Sequence, residues 1–137
     1  VDKGMKPLAI LKFMPCKCDC TDYGWEIYPE GLRAVLNFAY NRYRRPLYIT
    51  ENGIADEKGD TRTRYLLAHM DALHKTIHMD KVPVLGYYHW TLMDNFEWSD
   101  GFKIHFGLFG VDKKTKKRIP TSTVNIYKKI SENNALP

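Results

Sequence analysis

Pro46-Leu47-Tyr48-Ile49-Thr50-Glu51-Asn52-Gly53-Ile54 sets an apolar, strand-like run directly against a carboxylate and an Asn-Gly turn. A run such as Leu47 to Ile49 is apolar because a parallel sheet buries both of its faces. Parallel α/β sheets and barrels build their active sites where such strands open into loops. Glu51 is therefore the first candidate for chemistry. Asn52 and Gly53 give the backbone a tight exit, and Thr50 and Asn52 carry short polar groups suited to orienting a carboxylate. An ordinary Asn-Gly turn with a solvated Glu would use the same residues, so a second signal has to decide.

That signal lies downstream. Val84-Leu85-Gly86-Tyr87-Tyr88-His89 is again strand-like, and it runs into Trp90-Thr91-Leu92-Met93-Asp94-Asn95-Phe96-Glu97-Trp98-Ser99-Asp100-Gly101-Phe102. Acids, an amide and indoles are thus delivered to the end of a second strand. Sugars need that mixture, because a pyranose ring has an apolar C–H face that packs on an aromatic ring and a rim of hydroxyls that pairs with carboxylates, amides and indole N–H groups. Trp90, Glu97 and Trp98 fit those needs.

Between and around these strands the apolar residues recur at helical spacing. Gly31 to Tyr43 carries Leu32, Val35, Leu36, Ala39 and Tyr43 on one predicted face, with Pro29 and Glu30 suited to its first turn. Thr61 or Thr63 is the expected cap of a second helix bearing Leu66, Met70, Leu73 and Ile77. A last helix is expected from Thr121 or Ser122, with Val124, Tyr127 and Ile130 inward. The predicted order is helix, strand, helix, strand, loop, helix.

The two strand-end segments together resemble the family 1 glycoside hydrolases, the retaining β-glycosidases. Thr50-Glu51-Asn52-Gly53 is similar to that family's nucleophile motif, which implies Glu51 as the catalytic nucleophile. Leu92 to Trp98 resembles its sugar-binding motif, which implies Glu97 and Trp98 as ligands of the glycone hydroxyls and Trp90 as the platform under the ring. Phe106-Gly107-Leu108 and Val111-Asp112 are similar to the segment before the family's last helix and imply Phe106 beside the glycone pocket. Asn52 is taken as a further substrate-binding candidate. Gly24 to Leu32 is similar to the lead-in to the helix before the nucleophile strand. Tyr87-Tyr88-His89-Trp90 and Gly53-Ile54-Ala55-Asp56 lean toward the archaeal β-glycosidase branch. The phospho-sugar members of the family carry Ser at the position of Glu97, whose charge would repel a 6-phosphate, so a neutral glucoside or galactoside is the expected substrate. Where the family has Arg, this chain has His105.

The resemblance implies an α/β fold, the C-terminal portion of a (β/α)8 TIM barrel, incomplete, with about two strands and three helices. Length agrees: a typical closed barrel takes about 250 residues, against 137 here. The family's acid/base motif, Thr-x-Asn-Glu-Pro, has no counterpart, since Asn-Glu-Pro occurs nowhere in these residues. The expected function is hydrolysis of β-glucosides or β-galactosides, with this chain supplying nucleophile and glycone site but not the acid/base. The alternative is a non-catalytic remnant with weak carbohydrate binding. Open strand edges lead us to expect, of a free piece, poor folding, self-association or docking to a separate N-terminal barrel portion. No cofactor is implied.

Residues 1–22 read as an atypical leader and 23–137 as the barrel portion. Cys16, Cys18 and Cys20 lack the two-residue spacer of zinc knuckles and an obvious fourth ligand, and an odd count speaks against a complete disulfide framework, so reduced thiols are expected. His74 and His78 share a helical face without a third ligand, and no metal site is expected. Leu8 to Met14 is too short and too charged to span a bilayer, which points to a cytoplasmic protein without membrane attachment. The net charge of +5 sits in Arg42 to Arg45 and Lys113 to Arg118, both in predicted connections, and no nucleic-acid-binding motif accompanies it.

Overall fold

Residues 16, 17, 19–57, 59 and 61–137 are described by the computed structural model. Helix α1 spans Pro29–Tyr43 and strand β1 spans Leu47–Asn52. Helix α2 covers Arg62–His78 and strand β2 covers Val84–His89. A short antiparallel pair follows, β3 at Phe109–Val111 and β4 at Arg118–Pro120, and α3 at Thr123–Asn133 closes the chain. The α/β order matches the sequence expectation, apart from the β3–β4 hairpin. Its strands are three residues each, too short for an alternating pattern to register. The basic run but for Arg118, which opens β4, lies in the hairpin's turn, where the Asp112 carboxylate accepts from the backbone N–H of Lys114 and Thr115 and from the Thr115 hydroxyl.

β1 and β2 pair in parallel. The crossover that parallel neighbours require is supplied by α2. Leu36, Ile49, Leu66, Met70 and Leu73 form the buried core, with Leu32, Leu47, Ile77, Val84, Tyr87, Ile126, Tyr127 and Ile130 packed around it. The predicted stripe of α2 is therefore the one buried. The predicted stripe of α1 is only partly so: Leu32 and Leu36 reach the core, whereas Val35 and Tyr43 are exposed. Only the side of α1 that leans on α2 meets apolar neighbours within these residues. The strands likewise have one covered face. Ile49 is buried, while Tyr48, Leu85 and Tyr88 stand exposed.

The caps also differ from expectation. Thr61 occupies the N-cap of α2 without a side-chain cap bond. The buried Asp56 does the work instead, its carboxylate accepting from the backbone N–H groups of Gly59, Thr61 and Arg62. A carboxylate at that end of the helix also meets the positive pole of its backbone dipole. Ser122 sits at the N-cap of α3, again without a side-chain bond, and the Thr121 hydroxyl donates to the Leu108 carbonyl at 2.8 Å.

Residues 19–21 are tied to the rest of the fold. Asp19 pairs with Arg64, a β-bridge joins Cys20 to Glu26, and Thr21 is buried. Cys16 and Cys20 form a disulfide, which corrects the expectation of reduced thiols at these two positions. Cys18 and the run Leu8 to Met14 lie outside the described residues. Among the described residues no helix is long and apolar enough to cross a membrane, and no group of three or more His, Cys, Asp or Glu gathers as a metal site.

One polar clamp joins the helical layer. Arg33 of α1 grips Asp80, just beyond α2, through two N–H···O contacts of 2.7 and 2.6 Å, and the Asn37 amide adds a third at 2.7 Å. The Arg33 bonds, then the Asn37 bond, hold the Asp80 carboxyl down at about 2. A carboxyl depressed in the folded state contributes stability above its ordinary unfolded pKa near 4 and loses it as pH falls through the folded value. Carboxyl-detected NMR should find Asp80 titrating near 2, and Arg33→Gln should raise it toward the ordinary range, with the Asn37 bond still opposing. A wild-type Asp80 titrating near 4 would show the clamp absent in solution.

Candidate active site

Parallel pairing brings the C-terminal ends of β1 and β2 to one level. The Trp90 N–H donates to the Asn52 carbonyl at 3.0 Å, and Asn52 lies opposite His89 in the register. Gly53 follows so closely that a Cβ there would sit 1.6 Å from the Trp90 carbonyl oxygen. Only glycine lets the two backbones approach in this way. The backbone at Asn52 and Gly53 is thereby fixed against Trp90, with Glu51 the residue before them.

The chain after Trp90 is held by the segment leading into β3. Thr91 N–H donates to the Phe106 carbonyl, Leu108 N–H to that of Thr91, Phe109 N–H to that of Leu92, and Asp94 N–H to that of Phe109. The Asp94 carboxylate then accepts from His105 Nδ1 at 2.7 Å and from the Gly107 N–H at 2.8 Å. His105, at the position where an Arg was expected from the resemblance, thus keeps a polar link to this acid. Gly107 has no room for a side chain, since a Cβ would lie 2.4 Å from the Asp94 nitrogen. These bonds carry Glu97 and Trp98 back over the strand ends in a 3-10 turn, Trp98–Asp100. Trp98 adopts a left-handed φ of 45° and the residue is 85% exposed.

Glu51, Asn52, Trp90, Glu97, Trp98 and Phe106 all line one cavity of about 390 Å³, together with Trp25, Gly53 and Tyr65. All six residues singled out from the sequence meet there. Phe106 is buried, with its ring 6.5 Å from that of Trp25. Trp25 in turn lies 5.0 Å from Tyr23, whose hydroxyl donates to the Asp100 carboxylate. Aromatic side chains and two carboxylates, Glu51 and Glu97, therefore line one cavity, the surface chemistry a sugar ring asks for.

Glu97 is half-buried. Its Oε1 is shielded from solvent and has no hydrogen-bond partner among the described residues. Burial is the main cause that raises its pKa, with the charges of Asp94, Asp100 and Glu51 adding and a hydrogen bond from Trp90 opposing. A buried carboxylate oxygen without a partner is costly, and a donor entering the cavity would relieve that cost.

Behind the strand ends lies a polar cluster with no counterpart in the sequence reading. The Asn52 amide N–H donates to the Tyr65 hydroxyl at 2.9 Å, and the Tyr87 hydroxyl lies 3.0 Å from Asn52 Oδ1 and 3.3 Å from His89 Nδ1. Burial raises Tyr65 to about 12 against the Asn52 hydrogen bond, and pushes Tyr87 upward as well. Burial first, then the charges of Arg62 and His69, lowers His89 to about 4. All three are neutral in ordinary solution. Nothing periodic marks them as a group, since Tyr65 and Tyr87 lie 13 and 35 residues from Asn52.

A second cavity of about 430 Å³, lined by Asp56, Arg62, Asp94 and His105 among others, lies near the start of α2. Arg62 is fully buried there and donates to the Asp56 and His105 carbonyls. It braces the loop after Gly53 against the segment before Phe106.

Comparison with known proteins now decides the family. The model described as Glycosyl hydrolase family 1 matches residues 10–136. The chain belongs to glycosyl hydrolase family 1. A beta-galactosidase of Sulfolobus acidocaldarius is 44% identical over 117 residues, which are 85% of this chain and 24% of that protein. In solved structures, the beta-glycosidase of Thermosphaera aggregans matches at 44% identity with a TM-score of 0.83, over 86% of this chain and 24% of its own. The beta-glucosidase of Thermotoga maritima, solved with a methoxycarbonyl-substituted glucoimidazole, matches at 36% identity with a TM-score of 0.87, over 92% of this chain and 31% of its own. The family 1 chain described here thus spans about a quarter of the length of the curated relatives it matches, and its two-stranded α/β layer corresponds to part of their TIM barrel.

In this family 1 site the Gly53 contact is the point of least tolerance. Gly53→Ala must force the β1 and β2 ends apart and is expected to cost about 1–3 kcal/mol, as overpacking does. A urea-unfolding midpoint unchanged from wild type would show that the two backbones do not meet as described.

Proposed function

We propose that this chain supplies the nucleophile and the glycone site for hydrolysis of β-glucosides or β-galactosides by a retaining mechanism. The observation that supports it most is the convergence of Glu51, Trp90, Glu97, Trp98 and Phe106 on one cavity at the carboxyl ends of parallel strands. In this reading Glu51 attacks the anomeric carbon, the glycosidic bond breaks, and a glycosyl ester forms with inversion. Water then displaces Glu51 with a second inversion. Both steps need a second carboxyl about 5–5.5 Å from the first, to protonate the leaving oxygen and later to deprotonate water. These residues hold no Asn-Glu-Pro motif, so that group comes from a barrel portion beyond them. Trp90 carries the apolar face of the ring, and Glu97 and Trp98 bind its hydroxyls, contacts that strengthen as the ring flattens toward the oxocarbenium-like transition state.

The test joins this chain to the N-terminal portion of a family 1 relative. The joined protein should hydrolyse aryl β-glycosides, and Glu51→Gln should abolish turnover. A 2-deoxy-2-fluoro-β-glycoside should become trapped on the peptide carrying Glu51, as read by mass spectrometry. Label on another residue rejects the assignment.

Glu97 gives a separate expectation. Its raised pKa means that the charged form is present only above that value, so affinity for a neutral sugar should fall as pH drops through it. Glu97→Gln should remove that dependence while weakening binding, as measured by calorimetry. A pH profile identical in both proteins would exclude Glu97 as a ligand.

A second reading, a non-catalytic piece with weak carbohydrate binding, is favoured by the absence of the acid/base motif from these residues. Turnover by the isolated chain that Glu51→Gln removes would reject it.

A further inference from the structure

The ladder between β1 and β2 is irregular where it matters most. Leu47, Tyr48 and Ile49 have partners in β2, and so does Asn52, but the register shifts between Ile49 and Asn52. Thr50 and Glu51 fall in that gap. The direction of Glu51 is therefore set by the next fixed point along the chain, which is Asn52.

Asn52 is held from three sides. Its carbonyl accepts the Trp90 N–H, its amide N–H donates to the Tyr65 hydroxyl, and its Oδ1 lies 3.0 Å from the Tyr87 hydroxyl. Tyr87 has one proton to give, and three acceptors lie within reach: Asn52 Oδ1, the Asn52 carbonyl at 3.2 Å and His89 Nδ1 at 3.3 Å. Oδ1 is the nearest, and the carbonyl is already served by Trp90. A neutral His89 resolves the remaining choice. If its Nδ1 carries the proton, it donates to the Tyr87 oxygen and leaves Nε2, which is buried and without a partner among the described residues, as a bare lone pair. The other tautomer would bury an N–H with no acceptor among those residues. The chain of donors thus runs from His89 to Tyr87 to Asn52 to Tyr65.

Both ends of the Asn52 amide are consequently engaged by tyrosines, although the residue lines the cavity. We propose that Asn52 is a positioning residue for Glu51, locked by the Tyr65 and Tyr87 hydroxyls, and not a ligand of the sugar. The inference rests on Glu51 being the nucleophile. Its physical content is that the carboxylate must be aimed within a fraction of an ångström of the anomeric carbon, and a displacement of about 1 Å can cost roughly 100-fold in rate.

The experiment separates aiming from binding and from folding. In the joined protein, Tyr87→Phe keeps the ring but frees Asn52 Oδ1, and Tyr65→Phe frees the amide N–H. Each should lower the rate constant for trapping by the 2-fluoro glycoside by about 10- to 100-fold, with KM for an aryl glycoside within about twofold of wild type. The same substitutions are then placed in Glu51→Ala, where azide serves as a diffusible nucleophile and forms an α-glycosyl azide. Azide needs no aim from the strand, so the rescued rate should be the same with Tyr87 or Phe. An equal loss in both backgrounds would assign the tyrosines to substrate binding or to general stability and overturn the proposal. Undiminished trapping in both single variants would overturn it too, while leaving Glu51 as nucleophile. Unimpaired turnover in Glu51→Ala without azide would instead remove the nucleophile assignment itself, a failure distinguishable from the other two.

Discussion

Everything in the site depends on two parallel strands ending together. Once β1 and β2 pair through Ile49 and Tyr87, and again through Asn52 and His89, the acid of one strand and the indole after the other share a rim. Neither strand can slide, because a one-residue slip would turn every side chain to the opposite face and would take Ile49 out of the core it shares with Leu36 and Leu66. Hydrophobic burial on the helical side thus sets the position of polar groups at the open end. Chemistry here is an outcome of packing.

Three carboxylates away from the catalytic candidate carry much of the loop architecture. Asp56 gathers the first backbone N–H groups of α2, Asp94 ties His105 and Gly107, and Asp80 anchors α1 through Arg33 and Asn37. Each satisfies donors that the protein would otherwise have to leave to water or unpaired. Glu97 differs because its shielded Oε1 has no partner among the described residues. The contrast between satisfied structural acids and an unsatisfied one is what marks the latter as available to a ligand.

Much of this arrangement was legible in the sequence, for reasons particular residues make plain. Leu66, Met70, Leu73 and Ile77 recur at helical spacing, and a local period needs no knowledge of distant neighbours. The strand-end acids and indoles were legible because their spacing matches a known family. What stayed hidden was non-local. Val35 and Tyr43 share an apolar stripe with Leu32 and Leu36, yet spacing cannot say which members meet a neighbour. Asp56 caps from a distance of several residues, displacing Thr61 from a role its position suggests. The Tyr65–Asn52–Tyr87 cluster joins residues from a helix and two strands, and Cys16 pairs with Cys20 where an odd cysteine count had argued for free thiols.

The chain has three tryptophans in all, and Trp25, Trp90 and Trp98 line the same cavity. No indole stands elsewhere to dilute their signal. Tryptophan emission, excited at the red edge where tyrosine does not absorb, is therefore a hygrometer of the site, reporting the polarity and wetness of that one hollow without any attached dye.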